Sequence, residues 1–200
     1  MKTAAKTKGR PRAFDLDKAL DRALQVFWRK GYEGASMVDL TEAMGINSPS
    51  LYAAFGNKET LFRKAVDRYS SEQSCFVEQA LAAPTARESA AAMLQGTAAF
   101  LTGRGHPKGC LIVQGALAGG DASEPIKREL IARRDATETA LRKRFERAIE
   151  EGDLPADSDP AALARYIMTV NQGMSVQAAS GASRTELMQV AEIALKAWPG

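Results

Sequence analysis

The 200-residue chain has two cysteines, Cys75 and Cys110, and a single histidine, His106. Two thiols make no disulfide framework, and one histidine without clustered Cys or His makes no metal-ligand set, so neither metal nor cofactor is expected. No apolar run approaches the roughly 20 residues that span a bilayer, and MKTAAKTKGRPR holds no hydrophobic segment to serve as a signal peptide. These absences predict a soluble cytoplasmic protein. A Gly-rich phosphate loop, a nucleophile elbow and a metal-ligand spacing are also missing, so no enzyme class is indicated. His106 stands alone in a Gly/Pro loop and reads as a surface residue rather than a general base. Two further absences are local: no carboxylate from Ile46 to Asn57, and no charge of either sign from Tyr166 to Gly181.

With 45% hydrophobic and 26% charged residues, the composition is that of an ordinary globular chain, long enough for one large or two small cores. The net charge of +3 is unevenly spread. Residues 1–70 carry 13 Lys/Arg against 8 Asp/Glu, whereas residues 71–200 carry 14 against 16. A cationic surplus confined to one end suits a nucleic-acid contact there.

That end contains SMVDLTEAMGINSPSLYAAFGNK, residues 36–58. Ser36 is a good N-cap, with Asp39 as the acidic partner of a capping box. Val38, Leu40, Ala43 and Met44 can face inward at helical spacing, and Gly45 stands where a left-handed residue ends a helix. Ser48 reads as the next N-cap, with Pro49 in the first turn and Leu51 and Phe55 as the buried pair of a helix to Phe55. Ser48, Ser50, Tyr52 and Ala53 then point outward. Two short helices set at an angle by a glycine turn are a helix-turn-helix, whose second helix fits the DNA major groove. Such hairpins also serve as plain scaffold; the acid-free outer face of the second helix favours an approach to phosphates.

Before this motif, Phe14 to about Lys30 forms a helix with Leu16, Leu20, Ala23, Leu24 and Phe27 along one stripe, stopped by Gly31. Trp28 and Tyr32 are expected to seal its packing on the next two helices. Residues 1–12 are basic and lack the apolar residues to fold; they are either a solvated tail or an arm whose Arg10 and Arg12 enter a minor groove. After the motif, Asn57 caps a fourth helix reaching toward Leu81, with Lys58 in the first turn, where backbone N–H groups attract anions and a phosphate contact suits a lysine.

The remainder reads as helices. Thr85 and Glu88 form a capping box; Gly109-Cys110-Leu111-Ile112-Val113 could be a short buried strand, but Gln114 to Ala118 continues it at helical length and a buried helix is expected until Gly119-Gly120; and Ser123-Glu124-Pro125 opens a long helix to about Glu151 whose Arg/Glu pairs read as a solvated face. Asp159-Pro160 and Ser183/Glu186 start the last two helices. The uncharged stretch from Tyr166 to Gly181 is either a central core helix or a contact with a second copy; the latter predicts a homodimer through the last two helices. The fold class is all-α with about nine helices.

The run from Phe14 to Tyr69 resembles the DNA-binding domain of the TetR family of bacterial transcriptional regulators. The similarity lies in ALDRALQVFWRKGYEGASMVDLTEAMGINSPSLYAAFGNKETLF, and its most specific piece is LYAAFGNKETL, which fits the pattern LYxxFxxKexL. The resemblance implies a DNA-binding domain over residues 13–73 and an effector-binding and dimerisation domain over 74–200. It implies a palindromic operator, repression, and release by a small molecule that alters the spacing of two recognition helices. By the same resemblance Tyr52, Lys58 and Ser36 touch phosphates, while Ser48, Pro49, Ser50 and Ala53 lie nearest base edges. Met93, Phe100, Met168 and Met174 are as consistent with core as with an effector pocket, and Cys110 is either a small core residue or a reactive sensor. The competing expectation is a helical small-molecule-binding or catalytic protein in which the helix-turn-helix is scaffold.

Overall fold

The computed structural model describes residues 15–105, 107–117 and 123–199. Among them are nine α-helices and no strand: α1 (Leu16–Gly34), α2 (Met37–Met44), α3 (Ser48–Phe55), α4 (Lys58–Leu81), α5 (Ala86–Leu101), α6 (Leu111–Leu117), α7 (Glu124–Glu150), α8 (Pro160–Ala179) and α9 (Arg184–Lys196). The expected arm with Arg10 and Arg12, and also Phe14, His106 and Gly119-Gly120, lie outside the described residues.

Local chemistry explains most helix ends. The Asp15 carboxylate accepts from the N–H groups of Asp17 and Lys18 and starts α1. Gly31 breaks that helix at φ 70° and ψ 178°, a geometry open chiefly to glycine, and one more turn carries the chain to Gly34. Capping boxes form at Ser36/Asp39, Thr85/Glu88 and Ser183/Glu186. Gly45 closes α2 in the left-handed region, at φ 68° and ψ 34°.

Two expectations in this part are corrected. The cap of α3 is Asn47, one residue before Ser48: its Oδ1 accepts from Ser50 N at 2.9 Å, so Ser48 and Pro49 both fall within the helix. An amide side chain reaches the N3 nitrogen as readily as a hydroxyl does, and either residue could have capped. Val38 is 63% exposed, because the inward face of α2 is completed by Leu40 and Met44 four residues apart.

Leu24 and Phe27 of α1, Leu40, Leu51, and Leu61 and Phe62 of α4 close the core of the first unit. Phe62 receives the edges of Phe27 and Tyr32, with centroids at 5.0 and 5.1 Å. Each such side chain stabilises the fold by about 1.5–3 kcal/mol through burial, which is what holds so short a helix as α3 in place.

In the second unit, α5 packs between α4, α8 and α9, while α7 lies against α6 and α8. The long helix α4, roughly 36 Å at 1.5 Å per residue, belongs to both units, and the expected boundary at residues 73 and 74 falls inside it. The charged helix α7 is only partly a solvated face. Arg144 is buried and donates from Nη2 to the carbonyls of Ala83 and Pro84, both at 2.9 Å, holding the α4–α5 corner. Burial of that guanidinium is tolerated because carbonyls in the turn answer it.

Candidate nucleic-acid interface and the cavity behind it

The outer surface of α3 is formed by exposed Ser48, Pro49, Tyr52 and Ala53, with Ser50 half-buried. Tyr52 is 52% exposed although Leu51 beside it is wholly buried. This split follows from helical spacing: Leu51 and Phe55 anchor one side and leave the phenol free on the other. The hydroxyl of Ser36 is engaged at the start of α2, where Oγ accepts from Asp39 N at 3.0 Å and donates to Asp39 Oδ2 at 2.8 Å. Lys30 donates to the same carboxylate from the end of α1, and this contact, followed by the Ser36 backbone N–H, lowers the Asp39 pKa to about 2. The α1–α2 corner is thereby tied together beside α3.

Lys58 stands at the first turn of α4. Its Nζ lies 4.7 Å from the centre of the Tyr32 ring and donates to the Glu33 carbonyl at 3.4 Å. Partial burial lowers its pKa, against the opposing pull of Glu33. The ammonium is thus held near the N-terminal end of α4 by contacts of a few tenths to about 1 kcal/mol, weak enough for a phosphate to compete.

Trp28 departs from its expected place. Instead of sealing α1 onto α2 and α3, it meets the edge of Tyr69 on α4 at 4.6 Å and stacks on Phe100 of α5 at 6.1 Å. Its Nε1 donates to the carbonyl of Gly109 at 3.0 Å. Trp28 thereby joins α1 to α4, α5 and the segment ahead of α6. Tyr69 is fully buried there, and burial raises its phenol pKa well above the ordinary value, with Cys110 adding in the same direction.

Behind Phe100 lies a cavity of about 70 Å³ between α4, α5, α6, α7 and α8. Met93, Phe100, Cys110 and Met168, four of the five residues singled out for a pocket, line it. Met174 does not; it faces the α8–α9 groove with Val170, Gly173 and Val190. Arg133 and Arg134, expected on a solvated face of α7, line the cavity as well. Arg133 also reaches α4: Nη2 pairs with Asp67 there and, at 3.0 Å, with Glu129. Glu129 in turn accepts from Arg63 Nε on α4 at 2.8 Å. Burial would raise the Glu129 pKa, but the two arginines outweigh it and hold it low. The missed signal was the spacing of Glu129 and Arg133 at i and i+4, matched by Arg63 and Asp67 at i and i+4 on α4.

The outer side of α8 and α9 carries Val176, Val190 and Ile193 at 45%, 41% and 65% exposure. The inner side of α8 buries Ile167, Met168, Met174 and Ala178. Of the two readings of the uncharged stretch, core therefore describes one face only.

Comparisons agree with this geometry. Residues 19–65 match the model of bacterial regulatory proteins of the tetR family, and residues 86–193 match the tetracyclin repressor-like C-terminal domain. The HTH-type transcriptional repressor ComR of Escherichia coli (strain K12) is 37% identical over 200 residues, covering 97% of this chain and 93% of that one. The HTH-type transcriptional repressor BdcR of the same strain is 27% identical over 96% of this chain and 93% of its own length. Among solved structures, a cysteine mutant of the TetR family transcriptional regulator CifR, complexed with 26-bp double-strand operator DNA, is 49% identical. It superposes with a TM-score of 0.90 over 95% of this chain and 100% of that one.

Proposed function

This chain belongs to the tetR family of bacterial regulatory proteins, and on that premise we propose that it is a homodimeric repressor freed from a palindromic operator by a small molecule. The observation that carries the reading is the acid-free outer face of α3, set on a packed base that Trp28 and α4 join to a cavity in the second unit. A transcriptional regulator bound to operator DNA is also what the 49%-identical CifR structure contains.

The roles are those that the family resemblance implies for these positions. Tyr52, Lys58 and Ser36 take phosphates, Ser36 turning its hydroxyl from Asp39 to the DNA. Ser48, Pro49, Ser50 and Ala53 meet base edges. The face offers no Arg, Asn or Gln for bidentate base reading, so specificity rests on hydroxyls, thymine methyls, water and DNA shape, with Arg10 and Arg12 supplying a minor-groove arm. Residues 13–73 read DNA and 74–200 bind effector and pair the subunits, with α4 shared. Val176, Val190 and Ile193 form the pairing face, which sets the two α3 helices one helical turn (~34 Å) apart. Ligand in the cavity shifts the clamp of Arg63, Asp67, Glu129 and Arg133, and with it the start of α4. The protein works in the cytoplasm without catalysis.

Fluorescence anisotropy against selected genomic fragments tests this reading. Specific fragments should bind at least ~10³ more tightly than random DNA at physiological salt. Equal binding of both would return the helix-turn-helix to the role of scaffold.

A further inference from the structure

The cavity wall has a sharper chemistry than its size suggests. Its apolar side is Met93, Phe100, Ile112, Val113 and Met168. Its charged lining residues are Arg133 and Arg134; no Asp or Glu lines it. The Nε atoms of both arginines are buried and have no acceptor. Arg133 spends its Nη groups on Asp67, Glu129 and Ser70. Among the described residues Arg134 has no carboxylate in ion-pair range and gives only Nη1, at 3.4 Å, to the amide oxygen of Gln172. Buried donors without acceptors are uncommon in folded proteins and costly to keep.

We propose that this cavity takes a small aliphatic carboxylate, its oxygens on the Nε edges of Arg134 and Arg133 and its chain among the methionines. The proposal rests on the reading of the cavity as the effector site and names the class of effector. A planar carboxylate matches the guanidinium fork and supplies the counter-charge that Arg134 lacks. Asp67 and Glu129 already neutralise Arg133, so the ligand leans toward Arg134. At about 10–15 Å³ per water-sized group, 70 Å³ admits about five to seven such groups. Propionate, butyrate and valerate have that size. Bound carboxylate also competes for Arg133 with Asp67, which ties ligand chemistry to the α4 clamp.

Titration calorimetry of the full-length protein at fixed ionic strength, with sodium butyrate and with butyramide, tests the proposal. Butyrate should bind at least about tenfold more tightly than butyramide, and Arg134→Gln should weaken butyrate at least about tenfold while leaving butyramide unchanged. Arg134→Lys, which keeps the charge and loses the fork, should fall between and serves if Arg134→Gln melts early. Butyramide binding as tightly as butyrate, butyrate binding unaltered in Arg134→Gln, or no butyrate binding at millimolar concentration each overturns it. Operator affinity, measured alongside, separates the two levels. Butyrate that binds through Arg134 but leaves operator affinity unchanged upholds the ligand class and removes the effector role. A neutral compound that fills the cavity and releases operator where butyrate does not bind overturns the ligand class alone.

Discussion

Two stretches of this protein lack charge, the α3 region without an acid or base from Ile46 to Asn57 and the α8 region from Tyr166 to Gly181, and they differ in what replaces it. From Ile46 to Asn57 the exposed residues are Asn47, Ser48, Pro49, the Tyr52 phenol, Ala53, Gly56 and Asn57. On α8 and α9 the exposed apolar residues are Val176, Val190 and Ile193. Missing charge thus has two meanings. Hydroxyls and small side chains over a rigid base suit a polyanion, whose phosphates repel acids and accept hydrogen bonds. Branched aliphatics over a two-helix groove gain only by leaving water, which a second copy of the same face provides.

The sharpest way to break the contrast is to charge the apolar face. Ile193→Glu should weaken dimerisation more than about hundredfold, since an unpaired buried charge costs ~3–5 kcal/mol. Because Ile193 is 65% exposed within the chain, the variant should sediment as a folded monomer with a wild-type helical spectrum. A dimer of unchanged affinity places the pairing elsewhere. The polar face answers differently. Lys58→Ala should lower affinity for every DNA sequence by about tenfold per subunit, and flatten the dependence of log K on log salt by about one unit per subunit. Its loss of the Tyr32 contact should show as a small fall in melting temperature, measured separately. Ser50→Ala is milder: a change in operator preference of about 1 kcal/mol with an unaltered salt slope, read by competition between operators.

The smallest effect concerns the support beneath the polar face. Asp39 has its pKa lowered from the usual 3.8 to about 2, so the stability it contributes is present above the higher value and disappears as pH falls through the lower. Asp39→Asn should therefore lose less melting temperature than the wild type across that acid interval. Parallel acid curves for the two proteins would show that the Lys30–Asp39–Ser36 corner does not contribute in this way.

Helix-turn-helix geometry was legible because short-range chemistry determines it: capping residues, Gly45, and buried positions four apart. The all-α class and the helix boundaries followed from the same signals. The errors at Ser48 and Val38 are of one residue and one face, where two adjacent residues could each cap or where a two-turn helix has little periodicity to read. The cavity was less legible. Met93, Phe100, Cys110 and Met168 stand out as apolar candidates, but Arg133 and Arg134 look like solvent residues, because Asp67 and Ser70, which meet Arg133, lie more than sixty residues away on α4 and Gln172, which meets Arg134, lies on α8. Trp28 was misplaced for the same reason; Gly109, which accepts its N–H, is 81 residues distant. Local patterns do not report which long-range neighbours will desolvate a charged or polar group.

Hydroxyl-radical footprinting of the wild-type protein and Ile193→Glu on one selected operator tests the central claim, that an apolar face of α8 and α9 positions two acid-free polar ones. The account predicts two protected half-sites on one face of the duplex, about one helical turn (~34 Å) or a multiple of it apart, with protection lost at wild-type concentration in Ile193→Glu. A single unpaired half-site for the wild type, or an equal footprint from a monomeric Ile193→Glu, would contradict it.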